Sequence, residues 1–423
     1  MSFSPYPSYQ RHCGWSRPDD MIKAAPALRG DQEYDAVVIG AGYTGLAIVQ
    51  RLAQLHPEYR IALLEAEQIG AGSPGRNSGF VLETVLGGVH TAHFNEIHAL
   101  YQRTHKELMK QAALPTNRSG QTIFKAAATA RGEKALQQLS KSLQTSKQPW
   151  QSMDAKQLQE LTGSNYYRAG IRLSGNQLVN PVELVTAIAR QLPDNVTLYE
   201  QSPAIELEQH QRSWTVCTPE GQLKAPQVFL ANNAFIKGLG FGQSRSVTIY
   251  TYAGITAPLN DSEREQTSSK GQWGLLPAHR LGTTFRSTND GRLMVRGMYD
   301  YETEGGNEVP DILQRSLSKR YPSLQGARQL EQWWGGTTSL TANGAPLWGQ
   351  LKPGLFASVG CNGVGIVKGW LLGKTLAELA HGIATHNIPS LFGRPSWIPP
   401  EPFRKVGFLT VSAIEKKLAG NEC

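Results

Sequence analysis

The sequence predicts an α/β fold that begins with a Rossmann-type dinucleotide-binding unit. Three observations carry the prediction. The β-branched run DAVVIG (35–40) ends in glycine, the form of a buried parallel strand; YTGLAIVQRLAQLH (43–56) follows with apolar residues at helical spacing; and YRIALLEA (59–66) reads as a second strand that closes on an acid.

Each element has a physical reason. Gly40 allows the tight turn, Gly42 lets a pyrophosphate approach the backbone, and Gly45 lets the helix pack on the strand. Tyr43 and Thr44 stand in that turn, so an anion would sit at the helix N-terminus. Glu65, twenty residues after Gly45 and followed by Ala66, is placed to accept hydrogen bonds from a ribose, and no arginine follows directly to hold a 2′-phosphate. An ordinary βαβ unit would not require an acid there.

The choice between FAD and NAD rests on the next segment. After Glu65 the chain enters QIGAGSPGRNSGFVLE (68–83), a glycine-rich loop, instead of another regular βαβ unit. Its backbone amides, with Arg76, Asn77, Ser78 and Gly79, suit the phosphates and ring of an extended flavin dinucleotide. Further on, PVELVTAIARQL (181–192) has helical periodicity, and NVTLYEQ (195–201), SWTVCT (213–218), QVFLANN (227–233) and LFASVG (355–360) read as strands belonging with the first βαβ unit. CNGVGIVKGWLLGKTLAEL (361–379) is a second glycine turn opening into a helix. Elsewhere EIHALYQRTHKELMKQA (96–112) is helical, while VTIYTYAGITAPL (247–259) and RLMVRGMY (292–299) read as strands.

Composition narrows the function classes. With 423 residues, 40% hydrophobic and 18% charged, the chain can bury one large core or two coupled ones. The net charge of +8 is spread without a dense basic run, so a nucleic-acid partner is not expected. Cys13, Cys217, Cys361 and Cys423 form no CxxC pair, which argues against a zinc site and a disulfide framework. His90, His93, His98 and His105 do not share one helical face, and no HExxH or clustered carboxylate set accompanies them, so no metal is expected. No run is apolar and long enough to span a bilayer, and the start has no apolar core typical of a secretory signal; a cytoplasmic protein is expected. The segment 397–420 joins a proline-rich linker to a basic amphipathic stretch, expected to pack on its own domain, with peripheral membrane contact and electron delivery to quinone as the alternative.

Six blocks carry a family resemblance: VVIGAGYTGLAIVQRLA, LLEAEQIGAGSPGRNSGF, LVNPVELVTAIARQL, TTFRSTNDGRLMVRG, WWGGTTSLTANGAPLWGQL and GLFASVGCNGVGIVKGWLLGKTLAEL. In their order and separations the chain resembles the D-amino-acid oxidase superfamily of FAD-dependent oxidoreductases, most closely its γ-glutamylputrescine oxidase-like branch. The resemblance implies a Rossmann-type FAD-binding domain (31–84, 179–239 and 331–385) interleaved with an α+β substrate domain (85–178 and 240–330) built on a mixed, largely antiparallel sheet. An N-terminal extension (1–30) and a C-terminal linker and helix (386–423) complete the chain.

It also implies the site. Ala204, Asn362, Gly363, Val364, Gly365 and Lys368 join the residues above around a non-covalently held FAD, the helix after Gly365 pointing its N-terminus at the flavin. The chemistry is hydride transfer from the carbon beside nitrogen of an amine or amino acid to flavin N5, giving an imine that water hydrolyses; a γ-glutamylated polyamine is the leading substrate, and O2 or a respiratory quinone the acceptor. No obligatory acid–base residue is implied. Arg286 is the first candidate for a substrate carboxylate, followed by Arg296, Tyr250, Tyr252 and Trp334. Three positions depart from the family: Val364 stands where relatives often have histidine, Ser73-Pro74 replaces Ala-Ser, and Asn343 replaces Asp. Two alternatives stay open: a relative of the flavoprotein oxidase module that modifies the tRNA wobble uridine, and a flavin-containing assembly factor without catalysis.

Overall fold

Residues 3–16, 24–86, 91–114, 120–268, 270–383 and 386–423 are described by a computed structural model of the chain. Its strands are numbered here in chain order. A six-stranded sheet runs β19 (Leu347–Lys352), β20 (Leu355–Val359), β13 (Gln227–Leu230), β2 (Ala36–Ile39), β3 (Ile61–Leu64) and β9 (Val196–Tyr199). All neighbours are parallel except β19 and β20. The continuous apolar runs follow from this: every residue of β2, β3 and β20 is buried, because both faces of the sheet are covered. On one face lie the helices Tyr43–Leu55, Pro181–Ala189 and Gly365–Ala380. On the other lies a four-stranded sheet, β1 (Gly30–Glu33), β12 (Gly221–Ala225), β11 (Trp214–Thr218) and β10 (Glu206–Gln209). SWTVCT is thus in this cover sheet, not in the main one.

The two glycine-turn helices cross in close contact. A Cβ added at Gly373 would lie 2.3 Å from the Thr44 carbonyl oxygen, so only glycine permits this approach. Arg51 Nε donates to Glu378 Oε1 at 2.9 Å across the same pair.

An eight-stranded sheet has the order β18 (Leu330–Leu340), β14 (Val247–Thr256), β17 (Leu293–Tyr301), β16 (Thr284–Ser287), β15 (Gln272–Pro277), β5 (Gln121–Ala127), β7 (Ala169–Leu173) and β6 (Trp150–Asp154). All its pairs are antiparallel except β15 with β5. Phe124, Leu275, Phe285 and Val295 face the helix Val309–Arg320, whose Leu313 and Leu317 share their core. A short pair, β4 (Phe80–Val81) and β8 (Gln177–Leu178), completes the sheets. One expected boundary is corrected: 331–340 is not in the cofactor-side sheet, because β18 pairs with β14 from Val247↔Leu340 to Thr256↔Leu330. The chain reaches the six-stranded sheet only at Leu347. Within the glycine-rich loop, Ser73–Arg76 forms one helical turn with Pro74 in its first turn, where its missing N–H costs nothing.

Candidate active site

One large cavity is lined by the glycine turn after β2, the 72–86 segment, the turn before Gly365 and one face of the eight-stranded sheet. The end where a nucleotide is expected is mostly backbone. Gly40 has a φ of +99°, and a Cβ on Gly45 would lie 1.9 Å from the Gly40 carbonyl oxygen. Gly42 caps the first helix with no side-chain acceptor, leaving the first-turn amides and their partial positive charge for an anion. Gly40, Gly42, Tyr43, Thr44, Glu65, Ala66 and Ala204 all line the cavity. Gly45 does not: its part is helix-to-strand packing. The Tyr43 hydroxyl donates to the Pro74 and Pro181 carbonyls at 3.2 and 3.3 Å, so it bolts the turn to its neighbours. The Ala41 and Glu67 amides donate to the Glu65 carboxylate at 3.1 and 3.2 Å, while burial pushes its pKa up to about 7.

The RNSG loop works differently from the expectation. Arg76 donates from Nε to the Ala71 carbonyl (2.6 Å), from Nη1 to Gly335 (2.9 Å) and from Nη2 to Arg11 (2.8 Å), and its guanidinium lies 3.9 Å from the Tyr9 ring centroid. It ties three segments together instead of presenting an open fork to a phosphate. Asn77 donates to the Pro74 carbonyl (2.6 Å) and accepts from the Gly79 amide (2.8 Å). A Cβ on Gly79 would meet the Val179 carbonyl oxygen at 2.2 Å, so Gly79 is a packing glycine outside the lining. Ser78 Oγ, both polar atoms of the Asn232 side chain and Thr251 Oγ1 are buried without protein partners, and all three residues line the cavity. Buried polar atoms in that state call for a ligand with hydrogen-bonding edges.

At the second glycine turn Val364 caps the helix with no side-chain acceptor and is 38% exposed, and Gly363 (φ +81°) and Gly365 line the cavity with it. Asn362 is corrected to a turn residue: it accepts from the Thr341 amide at 2.9 Å and donates to the Gly344 and Gly360 carbonyls at 2.9 and 2.8 Å. Lys368 lines the cavity and is buried; it donates to the Gly344 carbonyl at 3.4 Å, lies 5.3 Å from the Phe392 ring centroid, and is pushed down to about 8 by burial. Asn343 also has a part: it donates to the Arg394 carbonyl at 2.8 Å, a bond an ionised aspartate would not make.

The end where a substrate is expected is built from strand side chains, and here three expected contacts are corrected. Arg286 is 2% exposed and lies off the cavity, donating to the Ser78 and Val179 carbonyls at 2.9 and 2.8 Å under the Trp15 ring. Burial pushes it down to about 9. Tyr250 and Trp334 do not line the cavity; the Trp334 indole donates to the Arg76 carbonyl at 3.1 Å. Tyr252 belongs to the wall, yet its hydroxyl turns into the core and donates to Asp300 at 2.7 Å. Arg296 is the charged candidate that remains in the cavity. Its guanidinium lies 5.9 Å from the Tyr299 ring and has no ion pair or hydrogen bond among the described residues.

Alternation explains the misassigned tyrosines. Successive strand residues face opposite sides, so with the Tyr250 and Tyr252 rings in the core, Thr251 and Ala253 line the cavity, and Tyr252 only edges it. A bulge then re-aims β17: Thr251 pairs with Tyr299 and Tyr252 with Gly297, leaving Met298 (φ +58°) unpaired. The extra residue puts Tyr299 on the same side as Arg296, which strict alternation forbids. The YTY triplet carried the signal for Thr251, but nothing in the sequence marks the bulge.

Other lining residues went unrecognised, notably Lys125, Leu276, Thr284, and Pro5, Tyr6 and Pro7 of the N-terminal extension. That extension is tied down by Tyr9, whose hydroxyl lies 2.9 Å from Thr337 Oγ1, and by Trp15, which donates to the Asn77 carbonyl at 2.8 Å. Enclosure pushes Lys125 down to about 8. Of the histidine group, His98 and His105 turn to Glu83, at 2.9 Å from its carbonyl and 3.2 Å from its carboxylate, and His90 lies outside the described residues. No group of three or more metal-binding side chains occurs among the described residues, and no helix among them is long and apolar enough to cross a membrane.

Comparison with known proteins agrees with this geometry. The family model "FAD dependent oxidoreductase" (DAO) matches residues 35–379. A probable oxidoreductase OrdL of Rhizobium meliloti is 25% identical over 85% of this chain and 86% of its own, and γ-glutamylputrescine oxidoreductase of Escherichia coli is 25% identical over 83% and 84%. Among solved structures, glycine oxidase from Geobacillus kaustophilus superposes with a TM-score of 0.70 at 18% identity, covering 83% of this chain and 95% of that one. L-proline dehydrogenase from P. horikoshii gives 0.69 at 17% identity, over 86% and 96%. The glycine turn, the cavity-lining Glu65 after β3, the two uncapped helix N-termini and the orphaned polar atoms of the cavity fit the cofactor that this match names. The chain belongs to the DAO family of FAD-dependent oxidoreductases.

Proposed function

We propose that the protein oxidises the C–N bond of a small amine or amino acid that carries a carboxylate. The observation that carries this reading is Arg296, a cavity-lining guanidinium with no protein anion among the described residues. A guanidinium fork holds a carboxylate through two parallel hydrogen bonds and so fixes the position of the adjoining carbon. Bound FAD supplies the acceptor for the hydride lost from the carbon beside nitrogen. The chain's own residues orient and exclude. Thr251 and Thr284 offer hydroxyls, Leu276 and Phe80 supply apolar wall, and the uncapped helix end at Val364 brings partial positive charge to the same space. Lys125 and Arg296 together disfavour a charged ammonium on the substrate, and the neutral amine is the form that gives up hydride. A γ-glutamylated polyamine is a second reading, favoured by the E. coli relative.

The FAD is proposed to be non-covalent, since the Cys361 thiol is already engaged with Thr338 Oγ1 (3.2 Å) and the Asn233 amide (3.5 Å). The acceptor is O2 or a membrane quinone. In favour of the second, the helix Phe403–Ala419 turns Arg404, Phe408 and Glu415 inward and exposes Phe403, Val406, Leu409 and Ile414 with Lys405, Lys416 and Lys417. An apolar face edged by lysines suits an anionic bilayer. Val406→Asp with Ile414→Asp is expected to abolish co-sedimentation with vesicles containing phosphatidylserine and leave turnover with a soluble dye unchanged; unaltered sedimentation would remove the membrane reading.

The central test is anaerobic titration of the flavin-loaded protein with amines, amino acids and γ-glutamyl amines. Bleaching by a carboxylate-bearing amine is expected, and admitting air then separates O2 from other acceptors. Failure of every amine to bleach the flavin would overturn the proposal.

A further inference from the structure

Arg296 is not the only unpartnered cation in the substrate end. Lys125, on β5, lines the same cavity and has no hydrogen bond or ion pair among the described residues. The strand register relates the two. Lys125 pairs with Leu276, Thr284 pairs with Arg296, and Arg296 pairs with Ala253; Leu275↔Phe285, continued by one residue, joins Leu276 to Thr284. These five residues form one row across β5, β15, β16, β17 and β14, and all five line the cavity. Residues in one row of a sheet share a face.

Three inter-strand steps separate the α-carbons of Lys125 and Arg296, roughly 14 Å, and their long side chains shorten the gap between charges to the length of a small molecule. Leu276 and Thr284 lie between them. Among the described lining residues the single carboxylate is Glu65, which stands at the nucleotide end. The buried Glu422, outside the lining and already accepting from the Ala128 and Thr129 amides, attracts Lys125 without a hydrogen bond or ion pair to it, so neither cation has a carboxylate in direct contact. Two cations without a carboxylate in contact, held apart in a partly desolvated cavity, repel each other and any cationic substrate tail, while an anion placed beside each lowers both penalties.

We infer that the row from Arg296 to Lys125 is a two-anion recognition site, and that the substrate is an amine bearing two anionic groups, such as an acidic amino acid, with one carboxylate at Arg296 and the second at Lys125. The inference rests on the proposed amine oxidation for the reacting centre, and it disfavours a polyamine tail.

The test uses inert anions and reads binding. Flavin-loaded protein is titrated with glutarate and with butyrate, following the perturbation of flavin absorbance. Glutarate is expected to bind at least about tenfold more tightly, as one additional charge-assisted hydrogen bond implies. Lys125→Met should bring the two anions to near-equal affinity, Lys125→Arg should keep the preference, and Arg296→Met should weaken both. Equal affinities in the unaltered protein, a preference that survives Lys125→Met, or no perturbation by either anion would overturn the inference. Its fate is separable from that of amine oxidation. Bleaching by monocarboxylic amino acids without a glutarate preference leaves the reaction standing and the two-anion site refuted. A Lys125-dependent glutarate preference without bleaching by any amine does the reverse.

Discussion

The two ends of the cavity are made of different material. At the end where the nucleotide is expected, the groups offered to a ligand are largely main-chain amides at two uncapped helix starts, the first shaped by Gly45, whose neighbours leave no room for a Cβ, the second by Gly363 at a φ of +81°. At the substrate end they are side chains projecting from one face of a sheet, selected by alternation, register and one bulge. A backbone site tolerates change in the residues it presents but not in the glycines that bend it. A sheet-face site is the opposite: its strands survive substitution, and its chemistry does not.

This contrast orders the expected effects of mutation. Gly45→Val should be the most damaging, because its side chain would meet the Gly40 carbonyl at covalent distance and push the helix off the strand. Loss of bound flavin and of soluble protein is expected; a flavin-loaded variant would show that the turn can widen and that the backbone account is wrong. Arg296→Gln should fold and load normally, yet lose kcat/KM for carboxylate-bearing amines by about 10² or more, the scale of ~2–5 kcal/mol for removing one partner of a buried charged pair. A change under about threefold would place the anchor elsewhere in the wall.

Arg286 lies on the same sheet face as Arg296, but its pairing with Met294 sets it two residues further along β16, beneath the Ser78–Gly79 backbone. Arg286→Met should therefore act on stability and not on recognition. Two buried carbonyls lose their donor, at ~1–3 kcal/mol each, so a clear fall in Tm is expected while KM of the surviving enzyme stays within about twofold. A selective rise in KM at unchanged Tm would reverse the assignment of the two arginines.

The same contrast explains what could be read from the amino acids alone. GAGYTG, the terminal acid of YRIALLEA and the second glycine turn were legible because backbone geometry restricts residue type: few sequences other than glycine satisfy a φ of +99° or a helix crossing at the Thr44 carbonyl. Arg76 was found but not its use, since a guanidinium serves three carbonyls as readily as a phosphate. At the sheet, arginine and tyrosine looked like recognition groups, but strand side chains alternate, and a bulge at Met298 resets that alternation without leaving a mark in the residue pattern. Lys125 was passed over because KAAATA shows no sign of where a parallel partner strand will place it.

Glu65 is an acid on which the nucleotide end is expected to rely, and it should give the smallest effect. Its carboxyl is raised from 4.5 to about 7 by burial, so between those pH values the folded apoprotein holds a proton that the unfolded chain has released. This group's contribution to apoprotein stability is full below about pH 4.5 and is lost as pH rises through 7. FAD binding should respond in the opposite sense, because ribose hydroxyls donate best to the ionised carboxylate. Affinity for FAD is expected to rise by up to about tenfold between roughly pH 6 and pH 8, the most that one proton centred near 7 can contribute over that window. Fluorescence quenching on reconstitution of the apoprotein measures it, and Glu65→Gln should flatten the profile while lowering affinity at the alkaline end. A profile equally steep in Glu65→Gln would assign the proton to another group and leave the nucleotide end wholly to its backbone.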